Sequence, residues 1–225
     1  MSNIEIIISR YNEDLNWTTE DIFNEYKYTV YNKGDNDNFS KININKIINI
    51  KNVGREGHSY LYHIITNYNN LSEITVFFPG SLDLEHKKHR AIEILTLIKS
   101  NKKSFFLGNH SENLKKQFND FCLDNWKSTN TQNIDKNNES QLQLSTIRPF
   151  GKWFKYYFGN KIFNKYNYFG IFSIDKRDII QHPKSRYIIL INQINTSSNP
   201  EVGHYIERSW GAIFYPIKYT KFVLK

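Results

Sequence analysis

"NVGREGHSYLYHIITNYNNLSEITVFFPG", residues 52–80, decides the reading of the fold. Its middle has apolar residues at helical spacing, and its end is a short β-branched and aromatic run closed by Pro-Gly. The spacing predicts a helix over about 55–68 and a strand over 73–80. At about 3.6 residues per turn, Leu61, Ile64, Ile65 and Tyr68 share one face, expected to pack on a sheet. Glu56, Tyr60, His63 and Asn67 share the opposite stripe. That stripe reads either as a solvated polar face or as a set of proton-transfer groups facing a ligand.

Upstream, "IEIIIS" (4–9) reads as a buried strand and "YKYTVYN" (26–32) as a second. A short helix is expected around 20–26, capped by Thr18 or Thr19. Residues 35–50 are polar and Asn-rich and read as a loop. Strand, helix, strand, helix, strand is the order of an α/β fold. A mostly parallel central sheet flanked by helices is therefore expected.

Downstream, 86–100 reads as a helix carrying Ile92, Leu95 and Ile98, and 113–126 as a further helix. Residues 127–141 read as a surface loop and 167–175 as a strand. A helix is expected after Pro183, and 203–214 reads as the last helix. There is neither an internal repeat nor a composition break, so one domain is expected over 1–225.

Composition narrows the function classes. With 39% hydrophobic and 16% aromatic residues, the chain is globular in composition. One cysteine, Cys122, excludes an internal disulfide and a cysteine metal cluster. It sits in the apolar run "FNDFCLDNW" and is expected to be buried. The first residues lack a signal-peptide pattern, and no segment is long enough to span a membrane. A soluble, cytoplasmic protein is the expectation. The net charge of +8 suits nucleic acid or an anionic small substrate, but the basic residues form no stripe.

Three polar clusters are candidates for chemistry. The first is the helix start, where Gly54, Arg55, Glu56, Gly57 and His58 crowd together. Free backbone N–H groups, the helix dipole and a guanidinium at one point favour an anion. The second lies beyond the strand ends, where ligands of open α/β sheets bind. Arg10, Asn12, Glu13 and Asp14 follow the first strand, Asn32 and Lys33 the second, and Gly80, Asp83, Glu85 and His86 the third. Asp83 and His86 have a spacing suited to a divalent metal, Mn or Mg, while Asp83 as a helix N-cap explains the same residues. The third is "GHYIERSWGAIF" (203–214), where Glu207 and Arg208 are either a structural pair or a base with its cation. Trp153, Phe154, Tyr156, Tyr157 and Phe158 read as core, with an acceptor platform as the alternative.

"SRYNEDLNW", "VYNKGD", the 52–80 stretch, "GIFSI" and "GHYIERSWGAIF", in this order, resemble a family known only as a domain of unknown function, DUF3431. The likeness runs from about residue 6 to about 214, and one departure is Pro79, where the family pattern has Gln. More distantly, the order resembles small glycosyltransferases of the GT-A, nucleotide-diphospho-sugar fold. That resemblance implies a nucleotide sugar over the strand ends and a glycan or other hydroxyl acceptor. The diphosphate would be held by Arg10, Lys33 or Arg55, with a metal at Asp83. Glu56, His63 or Glu207 would be the base. Nucleic-acid binding and a non-catalytic binding protein are the competing expectations.

Overall fold

The computed structural model describes residues 3–108, 118–124, 142–159, 167 and 169–224. Strands β1 (Ile4–Arg10), β2 (Tyr28–Asn32), β3 (Ile44–Asn49) and β4 (Ile74–Pro79) run parallel. Strand β6 (Phe172–Asp175) pairs antiparallel with β4, giving the order β3-β2-β1-β4-β6. Parallel strands are covered on both faces and so read as near-continuous apolar runs, as "IEIIIS" and "ITVFFP" do. Ile7, Tyr31 and Phe77 belong to one core, and Ile6, Ile8, Val30, Val76 and Phe78 to another.

Helix α1 (Arg55–Thr66) supplies Tyr60, Leu61 and Ile64 to the first core. Helix α2 (Glu85–Asn101) supplies Ala91, Ile94, Leu95 and Ile98 to the second. The sheet is thus mostly parallel and flanked by helices, an α/β architecture. Ile92 is exposed, so the buried stripe of α2 runs through Ala91 and Ile94 instead.

Helix α1 is turned relative to expectation. Its polar stripe faces the sheet: the Tyr60 ring lies 4.8 Å from that of Phe77, and Ser59 Oγ lies 2.8 Å from Ser9 Oγ. The sheet face carries hydroxyls at Ser9 and Tyr31, so polar side chains of α1 find partners there. Leu61 and Ile64 are buried as well, because α1 has neighbours on both sides. Those neighbours are α5 (Lys184–Asn192) and α6 (Glu201–Ile213).

Other segments also depart from expectation. The stretch read as a loop, 35–50, contains β3, an edge strand whose side chains alternate incompletely and stay partly exposed. Two 3-10 turns, Asn16–Thr19 and Asp21–Glu25, replace the short helix, and the Thr18 and Thr19 hydroxyls bond back to Leu15 O and Asn16 O. Strands β5 (Phe105–Gly108) and β7 (Lys221–Leu224) pair in a second, parallel sheet. Ser173 stitches β5 to β6: its Oγ accepts from Phe105 N at 2.6 Å and donates to Phe105 O at 2.9 Å. Helices α3 (Phe150–Phe158) and α4 (Lys176–Ile180) complete the described elements. Of the helix expected at 113–126 only 118–124 is described, and the loop expected at 127–141 lies outside the described residues. Among the described residues no helix is long and apolar enough to cross a membrane.

Candidate functional site

Because β1, β2 and β4 run parallel, their carboxyl ends lie together, with Arg10 beside Asn32 and Ser9 beside Pro79. Arg10 is 1% exposed and spends its donors on the protein. Nε donates to Glu13 O at 2.8 Å, Nη1 to Asn32 Oδ1 at 2.7 Å and Nη2 to Asn36 Oδ1 at 3.0 Å. Asn32 Nδ2 reaches Asn49 Oδ1 at 3.1 Å. Arg10 and Asn32 therefore brace the loops after β1 and β2. Glu13 Oε2 accepts from Tyr11 N at 2.7 Å and Asn12 N at 3.1 Å, and it lies 2.7 Å from where a Cβ on Gly80 would stand. A side chain at Gly80 would displace the Glu13 carboxylate from this position. Asn12 Oδ1 accepts from Asn36, while its buried Nδ2 has no acceptor among the described residues.

Lys33, buried at the end of β2, donates from Nζ to Val53 O and Arg55 O. Burial pulls its amine down to about 7, with Glu56 opposing and Arg55 reinforcing the shift. Gly54 precedes α1 with φ 63, and a Cβ there would meet Ile194 O at 2.5 Å. Arg55 is left-handed as well, with φ 52, so α1 begins on two successive left-handed residues. Arg55 Nε lies 3.8 Å from Glu56 Oε2, and its Cδ lies 3.3 Å from the Cβ position of Gly203 on α6.

Two carboxylates from distant parts of the chain meet at Phe169-Gly170, both of which are left-handed. Glu207 Oε1 accepts from Phe169 N at 3.0 Å, and Glu56 Cγ lies 3.1 Å from the Cβ position of Gly170. Tyr60 OH donates to Gly170 O at 3.0 Å. This turn, where a strand was expected, precedes β6, and the antiparallel run of β6 brings it to the strand ends. Arg208 Nη1 stands 3.9 Å from Glu207 Oε2 and donates to His204 O at 2.9 Å. From α2, Lys87 Nζ donates to Ser81 Oγ at 2.7 Å. Burial raises the Glu207 carboxyl, and Glu56 adds to the rise. Arg55, Arg208 and Lys87 oppose it. Burial lowers the Lys87 amine against the pull of Glu56, Glu207 and Glu13.

Glu13, Lys33, Arg55, Glu56, Glu207 and Arg208 therefore gather, and Lys87 joins them although the sequence reading did not single it out. Its signal was positional: Lys87 is one turn before Ala91, on the buried stripe of α2. The candidate histidines are placed differently from one another. His63 is 1% exposed, with Nδ1 3.0 Å from Tyr31 OH and Nε2 3.6 Å from Glu5 Oε2 on β1. Its imidazole is held down to about 4 by burial and Lys46. His58 is buried beside Tyr62, and burial and Lys33 hold it to about 4. His86 packs on Phe169, ring centroids 4.9 Å apart. The N-cap of α2 is Leu84, one residue past Asp83. Among the described residues no three His, Cys, Asp or Glu side chains are grouped to hold a metal ion. Trp153 is core, and Cys122 is exposed rather than buried.

No curated protein matches the chain. A family model described as "Protein of unknown function (DUF3431)" matches residues 6–221, a span that includes most of β1, α1, the Phe169-Gly170 turn and α6. The chain belongs to the DUF3431 family.

Proposed function

We propose that this protein is a glycosyltransferase-like enzyme. A nucleotide sugar would lie over the carboxyl ends of β1, β2 and β4, its diphosphate facing Arg55, Lys87 and Arg208. Glu207 would take the proton of an acceptor hydroxyl on a glycan or other alcohol. The observation that supports this reading is the convergence of three cations on the Glu56 and Glu207 carboxylates at one mouth of the sheet. A carboxyl raised by burial is a better general base than an ordinary carboxylate. Fixed cations in a partly dry site offset the charge that grows on a departing diphosphate. These cations are half-buried and cluster about two carboxylates instead of lining a stripe, which favours a small anion over a polynucleotide. Asp83 and His86 have no third ligand of the kind that would complete a manganese or magnesium site among the described residues, so no step is assigned to a metal.

The test is a thermal-shift screen with UDP-, GDP-, CMP- and dTDP-sugars, with and without manganese, beside a single-stranded oligonucleotide. The donor that stabilises the protein is then assayed for nucleotide release with added acceptors. Stabilisation by a sugar nucleotide, lost in Arg55→Ala, supports the reading. Stabilisation by the oligonucleotide alone, steeply weakened by salt, overturns it in favour of nucleic-acid binding. Binding without turnover leaves a non-catalytic receptor.

A further inference from the structure

We infer that a single water molecule is bound as a structural part of the opposite end of the sheet, held between His63 of α1, Glu5 of β1 and Thr75 of β4. This site is independent of the strand-end cluster and of the function proposed for it.

The His63 ring is fixed from one side. Its Nδ1 lies 3.0 Å from Tyr31 OH and 3.3 Å from Asn67 Nδ2. The Asn67 amide is oriented by its own helix, because Nδ2 donates to His63 O at 3.0 Å. An amide nitrogen offers only hydrogens, so the Nδ1 that faces it is an acceptor, and the Tyr31 hydroxyl donates to it. The ring proton therefore sits on Nε2. His63 is buried, and Nε2 has no hydrogen-bond partner among the described residues. Glu5 Oε2 stands 3.6 Å from it, beyond hydrogen-bond range.

The Glu5 carboxylate is held loosely from its other sides as well. Thr29 Oγ1 donates to Oε1 at 3.3 Å and Ser72 Oγ to Oε2 at 3.4 Å, both long for a hydroxyl on a carboxylate. Thr75 is directly opposite Glu5 in the β1–β4 register, so the two side chains share one face of the sheet. That face is the one α1 covers, since the His63 ring centroid lies 5.9 Å from that of Phe77, two residues along β4 from Thr75. Thr75 is fully buried, and its hydroxyl has no partner among the described residues.

An N–H that falls short of a carboxylate and a hydroxyl without a partner thus converge on one place. A water there accepts from His63 Nε2 and donates to Glu5 Oε2 and Thr75 Oγ1, and about three partners is the usual number for a buried water. A metal ion is disfavoured, because Nε2 carries a hydrogen where a ligand needs a lone pair. The water completes a chain from Tyr31 through His63 to Glu5, and it ties the second half of α1 to the first residues of β1 and β4.

The test is NMR of the full chain. Long-range proton–nitrogen spectra of the histidine rings are expected to show His63 protonated on Nε2 and bare on Nδ1. Cross-relaxation from a long-lived water is expected at the His63 ring and the Thr75 methyl. Thr75→Val keeps the shape of the side chain and removes the hydroxyl, so its melting temperature should fall by about 2–4 °C. Thr75→Ser keeps the hydroxyl and should keep the water signal. A ring proton on Nδ1, or a wild-type His63 with no water contact, overturns the inference. So does a Thr75→Val protein as stable as the wild type or more so, the result expected of a hydroxyl that binds nothing. Zinc that shifts the His63 signals would put a cation in place of the water and overturn it too. If Thr75→Val does not fold, the wild-type and Thr75→Ser spectra decide the matter alone.

Discussion

The Lys33 ammonium donates to the backbone carbonyl of Arg55 and so fastens the end of β2 to the first residue of α1. A charged group this buried is unusual, and its second bond, to Val53 O, uses the same short segment. The amine that sets the direction of α1 is thus also one whose protonation folding resists.

That cost makes a pH prediction with a definite sign. Lys33 falls from 10.5 to about 7 on folding, so the unfolded chain binds more protons between those values. Stability is therefore expected to decrease as pH falls from 10 towards 7. Denaturant unfolding at several pH values measures the slope, and Lys33→Met should flatten it. A slope unchanged in that variant would show that Lys33 is not its source.

The histidines set the acid limb. His58 and His63 fall from 6.5 to about 4 through burial, so folding favours their neutral forms. Their contribution is present above the unfolded value and is lost as pH falls from 6.5 towards 4. Urea midpoints should drop over that interval. His63→Gln, which keeps a polar group for Tyr31, should show a smaller drop than the wild type.

Glu207→Gln separates chemistry from architecture. The amide oxygen can still accept from Phe169 N, so the melting temperature should change little. Under the proposed function, turnover should fall about 10²–10⁴-fold, the usual worth of a general base. Initial rates with the donor found by screening provide the check, and retained turnover would move the base to Glu56.

Gly54→Ala tests the start of α1. A side chain there would be left-handed and would meet Ile194 O at 2.5 Å. The expected loss is on the order of 2 kcal/mol. It is read from chemical denaturation, and sugar-nucleotide binding should weaken with it because Arg55 is the next residue.

How much of this was legible depended on burial. β1 and β4 are covered on both faces, and their sequences have nothing to say except apolar. β3 is at the edge, so "INKIIN" keeps polar residues and reads as a loop. The acids and bases at the strand ends were legible one by one, because parallel strands deliver their ends to one place. Lys87 was hidden within the basic run 86–90, where only its phase relative to Ala91 marks it out. His63 shows the converse error. An imidazole beside a carboxylate on one stripe resembles a proton relay, but in the fold the His63 ring is buried between Tyr31 of β2 and Glu5 of β1, while Glu56 and Tyr60 reach the Gly170 turn. The turn at Phe169-Gly170 could not be placed without knowing that β6 runs backwards.

That reversal also has a bearing on how the protein is made. Glu56 and Glu207 straddle most of the chain, and the turn between them comes from neither neighbourhood. During synthesis the early strands can pair while later segments are still inside the ribosome. The charged mouth stays half-built, with Arg55 and Glu56 waiting for their counterparts, until α6 has emerged and docked. A nascent chain would therefore have shape before it has the means to hold a ligand.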